Sequence, residues 1–210
     1  MAPDEPETVV YPDIRDPRVM VAVPRARRPA VTALWALAER LGKLLRDARE
    51  PLIGQIKLAW WRDMMAMLAT DPGALPKGEP LLAELQATWP GQAGLDALVD
   101  AAEAMLLAGD DAERRDAATA FGDALFRLSG GDGGKRWGLV WAAGLQEGAA
   151  EARRLFADAR ALPAPRPRSF SGNKALLMLD RWAAAIASQD GDRRWRSEGL
   201  LLLRIGLIGR

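Results

Sequence analysis

Two residue types with wide chemical use are missing from this chain of 210 residues, which contains no cysteine and no histidine. The absence of cysteine excludes disulfides, thiol catalysis and the usual structural zinc sites. The absence of histidine excludes Ser–His–Asp and Cys–His catalysis and any histidine general base. The composition, 49% hydrophobic and 27% charged, suits an ordinary globular protein with one sizeable core.

An excess of charge of one sign is also lacking, since 29 basic and 28 acidic residues leave a formal net charge of +1. A general electrostatic attraction to nucleic acid is therefore absent, and we expect no nucleic-acid partner. Local basic clusters do occur near the first predicted helix and around Trp195, at Arg25, Arg27, Arg28, Arg193, Arg194 and Arg196. Such clusters usually form a solvated face, and the alternative is contact with an anionic membrane surface.

An apolar run long enough to cross a membrane is not present near the C-terminus. The run GLLLLRIGLIG is interrupted by Arg204, and a bilayer span needs about 20 residues. We expect the helical bundle to cover this run, with Arg204 reaching outward. A membrane-surface contact and a partner interface are the alternatives. Residues 1–7 are acidic and proline-bearing, unlike a secretory or mitochondrial leader, so we expect a cytoplasmic protein, with membrane association through the C-terminal segment left open.

Apolar residues recur at helical spacing along most of the chain, without an alternating strand pattern or an internal repeat. The sequence therefore predicts an all-α fold, in one domain that covers residues 1–210. Within it, residues 1–28 are predicted to form an irregular arm, and residues 162–172 a proline-rich linker that runs over the surface. Asn173 is predicted to cap the helix that follows the linker.

A tandem tryptophan pair and a set of charges lie on one predicted helix, in the segment REPLIGQIKLAWWRDMM from Arg49 to Met65. The apolar residues of this helix recur at helical spacing and predict a buried face, at Leu52, Ile53, Ile56, Trp60, Met64 and either Met67 or Leu68. Because adjacent residues on a helix point about 100° apart, the two indole rings cannot share a pocket. We expect Trp60 to lie in the core and Trp61 to lie between this helix and a neighbour.

The segment 28–65 resembles the start of squalene/phytoene synthase family proteins, the head-to-head isoprenoid synthases. The resemblance is strongest to a bacterial subgroup with the signature REP-x-x-G-x-I-[RK]-L-x-WWRD. It implies a shortened helical bundle of the isoprenoid synthase type. It also implies a place near the branch that includes a mitochondrial assembly factor for respiratory complex I, in which the metal motifs are degenerate. In active members, paired aspartates hold Mg²⁺ ions that bridge to an isoprenoid diphosphate.

The aspartates are missing where the resemblance places them. The family pattern ALYAFCRxxDDxxDE, aligned from Ala33, puts Gly42, Lys43 and Arg46 at the aspartate positions and leaves Asp47 as the trailing acid. Cations at two of these positions repel Mg²⁺, so we expect no first metal centre.

A remnant of the family's second motif lies in residues 120–138. Gly122 and Ala124 fit the pattern and suit close helix packing, whereas Asp132 stands alone in a glycine-rich loop. With neither metal motif intact, the diphosphate has no metal to neutralise its leaving charge. We therefore expect a pseudoenzyme with no metal and no cofactor.

Four residues are candidates for binding a ligand: Lys43, Arg46, Gln55 and Arg62. Lys43 and Arg46 are able to contact a diphosphate directly. Gln55 and Arg62 lie on one helical stripe that is expected to line the remnant of the family's cavity. The alternative for Arg62 is a surface ion pair with Asp47 or Glu50.

Three functions stay open on this sequence. The first is a non-catalytic protein that binds a partner protein, and the second is a carrier that binds an isoprenoid or lipid. The third is an active prenyltransferase of the squalene/phytoene synthase type, which acts in terpenoid biosynthesis and needs Mg²⁺. A carrier requires a long apolar tunnel, and a prenyltransferase requires carboxylates that converge in a central cavity.

Overall fold

The computed structural model of the protein describes residues 11–164, 170 and 172–208. Within these residues the chain forms α-helices and no β-strand, which confirms the predicted all-α, single-domain fold. The helices are α1 Pro17–Met20, α2 Arg28–Asp47, α3 Pro51–Thr70, α4 Pro80–Thr88, α5 Asp96–Leu107, α6 Asp111–Leu128, α7 Lys135–Ala143, α8 Ala149–Ala161, α9 Lys174–Ala187 and α10 Trp195–Ile208. No described helix combines the length and the apolar character that crossing a membrane requires.

The predicted arm and linker are only partly described. The arm is more regular than expected, because α1 and a 3₁₀ turn at Arg25–Arg27 lie within it. Residues 1–10 of the arm and residues 165–169 and 171 of the linker lie outside the described residues. After the linker, the Asn173 side chain accepts a hydrogen bond of 3.3 Å from the Leu176 amide, which confirms the predicted cap of α9.

Aromatic rings fill the centre of the bundle, between α2, α6 and α7. Phe121 and Trp141 are stacked, with ring centroids 3.9 Å apart and planes 2° apart. Trp137 meets Trp35 edge to face at 5.1 Å, an arrangement that aromatic pairs prefer. The indole of Trp35 donates to Ser129 Oγ at 3.0 Å, and that of Trp137 donates to the Pro12 carbonyl at 2.7 Å. The interior around these rings is therefore packed with side chains.

Three glycines allow α6 and α7 to approach closely. A Cβ added to Gly122 would overlap the carbonyl of Gly134 and would lie 2.9 Å from the Cα of Gly138. A Cβ added to Gly138 would overlap the Ala118 carbonyl. The prediction that Gly122 serves close helix packing is confirmed, and its partners are Gly134, the N-cap of α7, and Gly138 within α7.

Helix α3 buries Trp61 in the core, whereas the sequence predicted Trp60 there. Trp61 is only 4% exposed, whereas Trp60 is 40% exposed. Leu58, Met65 and Leu68 are buried together with Trp61. The prediction that Trp60 lies in the core is wrong.

The reason is that α3 carries two apolar stripes. One runs through Leu52, Ile56 and Trp60, and the other through Leu58, Trp61, Met65 and Leu68. Gly54 lies on the same face as the second stripe, one turn before Leu58. A Cβ at Gly54 would come within 2.8 Å of the Leu106 side chain of α5. The small residue lets α5 pack against that side, and hydrophobic periodicity alone cannot rank the two stripes.

The two tryptophans are expected to differ sharply in their contribution to stability. Trp61→Ala should lower the free energy of unfolding by about 3–5 kcal/mol, because it leaves a cavity in the core. Trp60→Ala should cost less than about 1 kcal/mol, as is usual for exposed positions. Urea denaturation of the two variants beside the wild type measures both values, and equal losses would contradict the orientation of α3.

Among the described residues, α10 packs against α9 and α1, which cover one of its faces. Leu202 and Ile205 are buried, while Leu200, Leu203 and Leu207 are 59% to 76% exposed. The expectation that the bundle covers the whole apolar run is therefore wrong. Two neighbouring elements, one of them a single turn, cannot surround a helix of 14 residues.

A buried carboxylate fixes the orientation of α10. Glu198, 3% exposed, accepts hydrogen bonds from Trp182 Nε1 at 2.8 Å, from the Arg193 guanidinium at 2.7 Å and from the Arg194 amide at 2.8 Å. Burial on its own would raise the pKa of Glu198, but these hydrogen bonds together lower its pKa below the ordinary value. The charged carboxylate therefore holds the inner face of α10 against α9.

Acid is expected to loosen α10 before the rest of the bundle. A carboxyl whose pKa is lowered by folding stabilises the protein above its unfolded pKa and loses that contribution as the pH falls through the folded pKa. For Glu198 the loss begins as the pH drops below the ordinary value of 4.5. Hydrogen exchange of α10 amides relative to α9 amides measures it. In Glu198→Gln, α10 should exchange faster at neutral pH and respond little to acid; wild-type-like protection in this variant would count against the anchor.

Candidate binding groove between α2 and α3

Helices α2 and α3 meet at the joint around Arg49, and a surface groove of about 660 Å³ lies between them. Pro51 begins α3, where its fixed φ and missing amide hydrogen suit a first helical turn. The groove is lined from the two helices by Arg40, Lys43, Leu44, Asp47, Ile56, Lys57, Trp60 and Trp61. Its wall is thus partly aromatic and aliphatic and partly charged, with three cations, Arg40, Lys43 and Lys57, and one acid, Asp47.

The two tryptophans of the signature form the apolar wall of the groove. Their rings meet edge to face, with centroids 5.1 Å apart and planes at 80°. The Arg40 guanidinium lies 5.8 Å from the Trp61 ring centroid, within cation–π range. Arg40 also pairs with Glu79 at 3.2 Å, so its charge is already partly compensated.

Two lysines at the groove have no such compensation. Lys43 of α2 and Lys57 of α3 are exposed. Neither forms a hydrogen bond or an ion pair with any residue that the structure describes. The groove therefore combines an apolar wall with two uncompensated positive charges.

Lys43 and Arg46 both lie on the outer side of α2 and are exposed. The inner side of this helix carries Leu34, Leu41 and Gly42, which are buried. Lys43 lines the groove, whereas Arg46 lies beside the Tyr11 hydroxyl. Burial raises the pKa of Tyr11, and the neighbouring Arg46 opposes this rise. Of the three aligned aspartate positions, 43 and 46 therefore face solvent and not the interior of the bundle.

Gly42 is the one residue of the aligned aspartate positions that faces inward. A Cβ at this position would lie 3.1 Å from Trp141 Nε1 and 3.7 Å from Tyr11 Oη. The core therefore has no room for a carboxylate here without rearrangement. Trp141 Nε1 is buried and has no hydrogen-bond partner among the described residues. Throughout the residues that the structure describes, no three acidic side chains are grouped so as to hold a metal ion.

Gln55 and Arg62 lie away from the groove, on the side of α3 that meets α5. Arg62 forms ion pairs with Asp100 at 2.7 Å and with Glu103 at 2.6 Å. These partners belong to α5, not to the joint where Asp47 and Glu50 lie. Gln55 is half-buried on the same side of the helix. Of the four sequence candidates, the structure brings only Lys43 to the groove.

Three further residues line the groove and were not among the candidates predicted from the sequence: Arg40, Leu44 and Lys57. Arg40 lies one turn before Lys43 on α2, a spacing that places both on one face. The place of Arg40 beside Lys43 could therefore have been predicted from the sequence. The position of Lys57 could not be predicted, because it depends on which stripe of α3 is buried.

A second cavity, of about 690 Å³, adjoins the remnant of the second motif. At its base the buried Arg136 pairs with Asp180 at 2.8 Å and donates to the carbonyls of Ala159, Leu162 and Pro163. Burial raises the pKa of Asp180, and Arg136 opposes that rise. Besides its ion pair with Asp180, Arg136 donates to three backbone carbonyls at the end of α8 and just beyond it. The pair therefore stabilises the path of the chain that leaves α8.

No protein-family model, no curated protein and no solved structure matches this chain. The resemblance to the squalene/phytoene synthase family accordingly rests on the residues of the sequence that carry it.

Proposed function

We propose that this chain is a non-catalytic protein of the squalene/phytoene synthase type and that it works by binding a partner protein in the groove between α2 and α3. The observation that carries the proposal is the exposed apolar stripe of α3 beside two uncompensated lysines. Leu52, Ile56 and Trp60 follow one another at one residue per turn and are all exposed. Single exposed apolar residues are ordinary, but a contiguous stripe is typical of a docking surface.

The shape of the groove favours a helical segment of a partner protein. The stripe extends from the groove at Trp60 and Ile56 to Leu52, over two helical turns. An amphipathic helix docks on such a surface through residues spaced at three and four positions. A small ligand is usually enclosed over most of its surface, and this groove is open to solvent along α3. A protein segment therefore fits better than an isoprenoid.

The charges at the groove indicate the chemistry of the partner. Lys43 of α2 and Lys57 of α3 contribute positive charge to the groove. Acidic residues along the edge of a docking helix would complement them and would speed association. We therefore expect an amphipathic helix with an apolar face and acidic flanks.

Catalysis is disfavoured by the residues at the aligned metal positions. Gly42 packs against the Trp141 indole, while Lys43 and Arg46 add positive charge on the outer side of α2. Ionisation of an isoprenoid diphosphate needs metal ions to neutralise its leaving charge. These positions supply none of the oxygen ligands that Mg²⁺ prefers.

A calorimetric titration separates a binding protein from a prenyltransferase. The purified protein is expected to bind farnesyl or geranylgeranyl diphosphate no more tightly with Mg²⁺ than without it, because Gly42, Lys43 and Arg46 stand at the three aligned aspartate positions. An increase in affinity with Mg²⁺ would overturn the non-catalytic proposal and favour the active enzyme.

Photocrosslinking in cells tests the groove itself. A benzoylphenylalanine placed at Ile56 is expected to join to one discrete partner. The same residue at Ala150, an exposed position in the first turn of α8, serves as the matched control and should give no such adduct. The identical adduct from both positions, or none from Ile56, would contradict docking at the groove.

A further inference from the structure

A separate surface, on α10, carries three leucines and two arginines without an acidic residue. Arg196, Leu200, Leu203 and Leu207 follow one another at spacings of four, three and four residues, and so form one stripe. Arg204 lies one turn beyond Leu200, beside this stripe. All five side chains are exposed. The acidic residue of the helix, Glu198, is buried on the opposite face.

The orientation of this surface is fixed from the inside. Glu198 is held by Trp182 and by the Arg194 amide, and Leu202 and Ile205 pack into the core. The exposed leucines therefore cannot turn inward without breaking these contacts. Held in this orientation, α10 keeps large apolar side chains in water, and a contact that covers them would be stabilising.

The positive charges on this surface form no ion pair with the part of the chain that the structure describes. Arg194, Arg196 and Arg204 form no ion pair with a described residue. Trp195, at the start of α10, is also exposed, and the Arg193 guanidinium lies 4.0 Å from its ring centroid. Leucine, tryptophan and arginine together, without acids, are typical of helices that lie in the interface of an anionic membrane.

A second copy of the chain fits this surface less well. A symmetric contact would bring Arg196 and Arg204 of both copies into one interface with no acidic residue on the surface to neutralise them. Anionic lipid headgroups supply that countercharge, and the arginine side chains are long enough to reach them while the leucines enter the acyl region.

We propose that the outer face of α10 docks the protein on an anionic lipid surface, with Leu200, Leu203 and Leu207 inserted and Arg196 and Arg204 on the headgroups. The helix lies in the plane of the surface and does not cross the membrane. This contact is independent of the groove between α2 and α3, which lies on other helices.

Vesicle co-sedimentation of the full chain tests the proposal. The wild type should bind vesicles of phosphatidylcholine with phosphatidylglycerol at least about tenfold more tightly than vesicles of phosphatidylcholine alone, and added salt should weaken this binding. The variant Leu200→Ser/Leu203→Ser/Leu207→Ser should lose binding to both kinds of vesicle. Arg196→Ala/Arg204→Ala should lose mainly the preference for the anionic lipid.

A matched control comes from the other exposed apolar stripe. Leu52→Ser/Ile56→Ser removes a similar exposed surface from α3 and should leave vesicle binding unchanged. Circular dichroism should give the same helix content for every variant, since all the replaced side chains are exposed. The proposal is overturned if the wild type does not bind anionic vesicles, if the leucine variant binds them as well as the wild type, or if the control loses binding equally. A dimer that the leucine substitutions convert to a monomer would also overturn it.

Discussion

Gly138→Ala is expected to lower the free energy of unfolding by about 4 kcal/mol or more, a loss that is exceptional for a single methyl group. Alanine favours a helix over glycine by about 1 kcal/mol, so local propensity predicts the opposite sign. The close approach of α6 and α7 decides the outcome, because the new Cβ would overlap the Ala118 carbonyl and lie 3.1 Å from the Cα of Gly122. Both obstacles are backbone atoms, so relief requires the helices to separate.

Gly206→Ala in α10 is the matched control for this substitution. A Cβ at Gly206 has no described atom within 4 Å beyond its chain neighbours and the nearby backbone of its own helix. Only the propensity term remains, and the variant should be as stable as the wild type or more stable by up to about 1 kcal/mol. Urea denaturation of both variants gives the comparison. A Gly138→Ala variant as stable as Gly206→Ala would contradict the close crossing of α6 and α7.

Trp60→Ala is expected to weaken binding of the groove partner by about 2–4 kcal/mol, or roughly 30-fold to 1000-fold. An exposed tryptophan on an apolar wall is the kind of residue that dominates protein interfaces. The stability of the protein should hardly change, because Trp60 contributes little to the core. The two effects together distinguish a binding residue from a structural one.

Trp195→Ala provides the control for the binding measurement. Trp195 is exposed to a similar extent, but it lies on α10 instead of the groove. The partner recovered through Ile56 is titrated against both variants by calorimetry. Trp195→Ala should bind like the wild type, and an equal loss of affinity in the two variants would mean that the partner does not dock at the groove.

Local features of the fold could be predicted from the sequence where one signal acts alone. Asn173 caps α9 because a short polar side chain precedes a strongly amphipathic helix. Gly122 is expected at a close helix contact because a glycine inside a helix lacks the side chain that would hold a neighbouring helix away. In both cases the prediction depends on one residue and its local role.

The orientation of α3 could not be predicted, because two apolar stripes compete on one helix. The decision between them depends on Gly54 and on the Leu106 side chain of α5, about 50 residues away in the chain. The groove depends on that orientation, since Trp60 and Lys57 would lie elsewhere if the other stripe were buried. The same limit applies to Arg62, whose partners Asp100 and Glu103 are known only from the way α3 and α5 pack.

A charge exchange across the groove tests partner docking most directly. In Lys43→Glu/Lys57→Glu the two uncompensated charges of the groove are reversed, and affinity for the partner recovered through Ile56 should fall. Replacing the acidic residues of the partner's docking helix with lysine should restore it. We predict that the two altered proteins bind each other at least about tenfold more tightly than either binds its unaltered partner, because opposite charges then face each other again. The contrary result is that the affinity losses of the two altered proteins add up when they are combined. In that case the lysines do not face those acids, and the partner does not dock in the groove between α2 and α3.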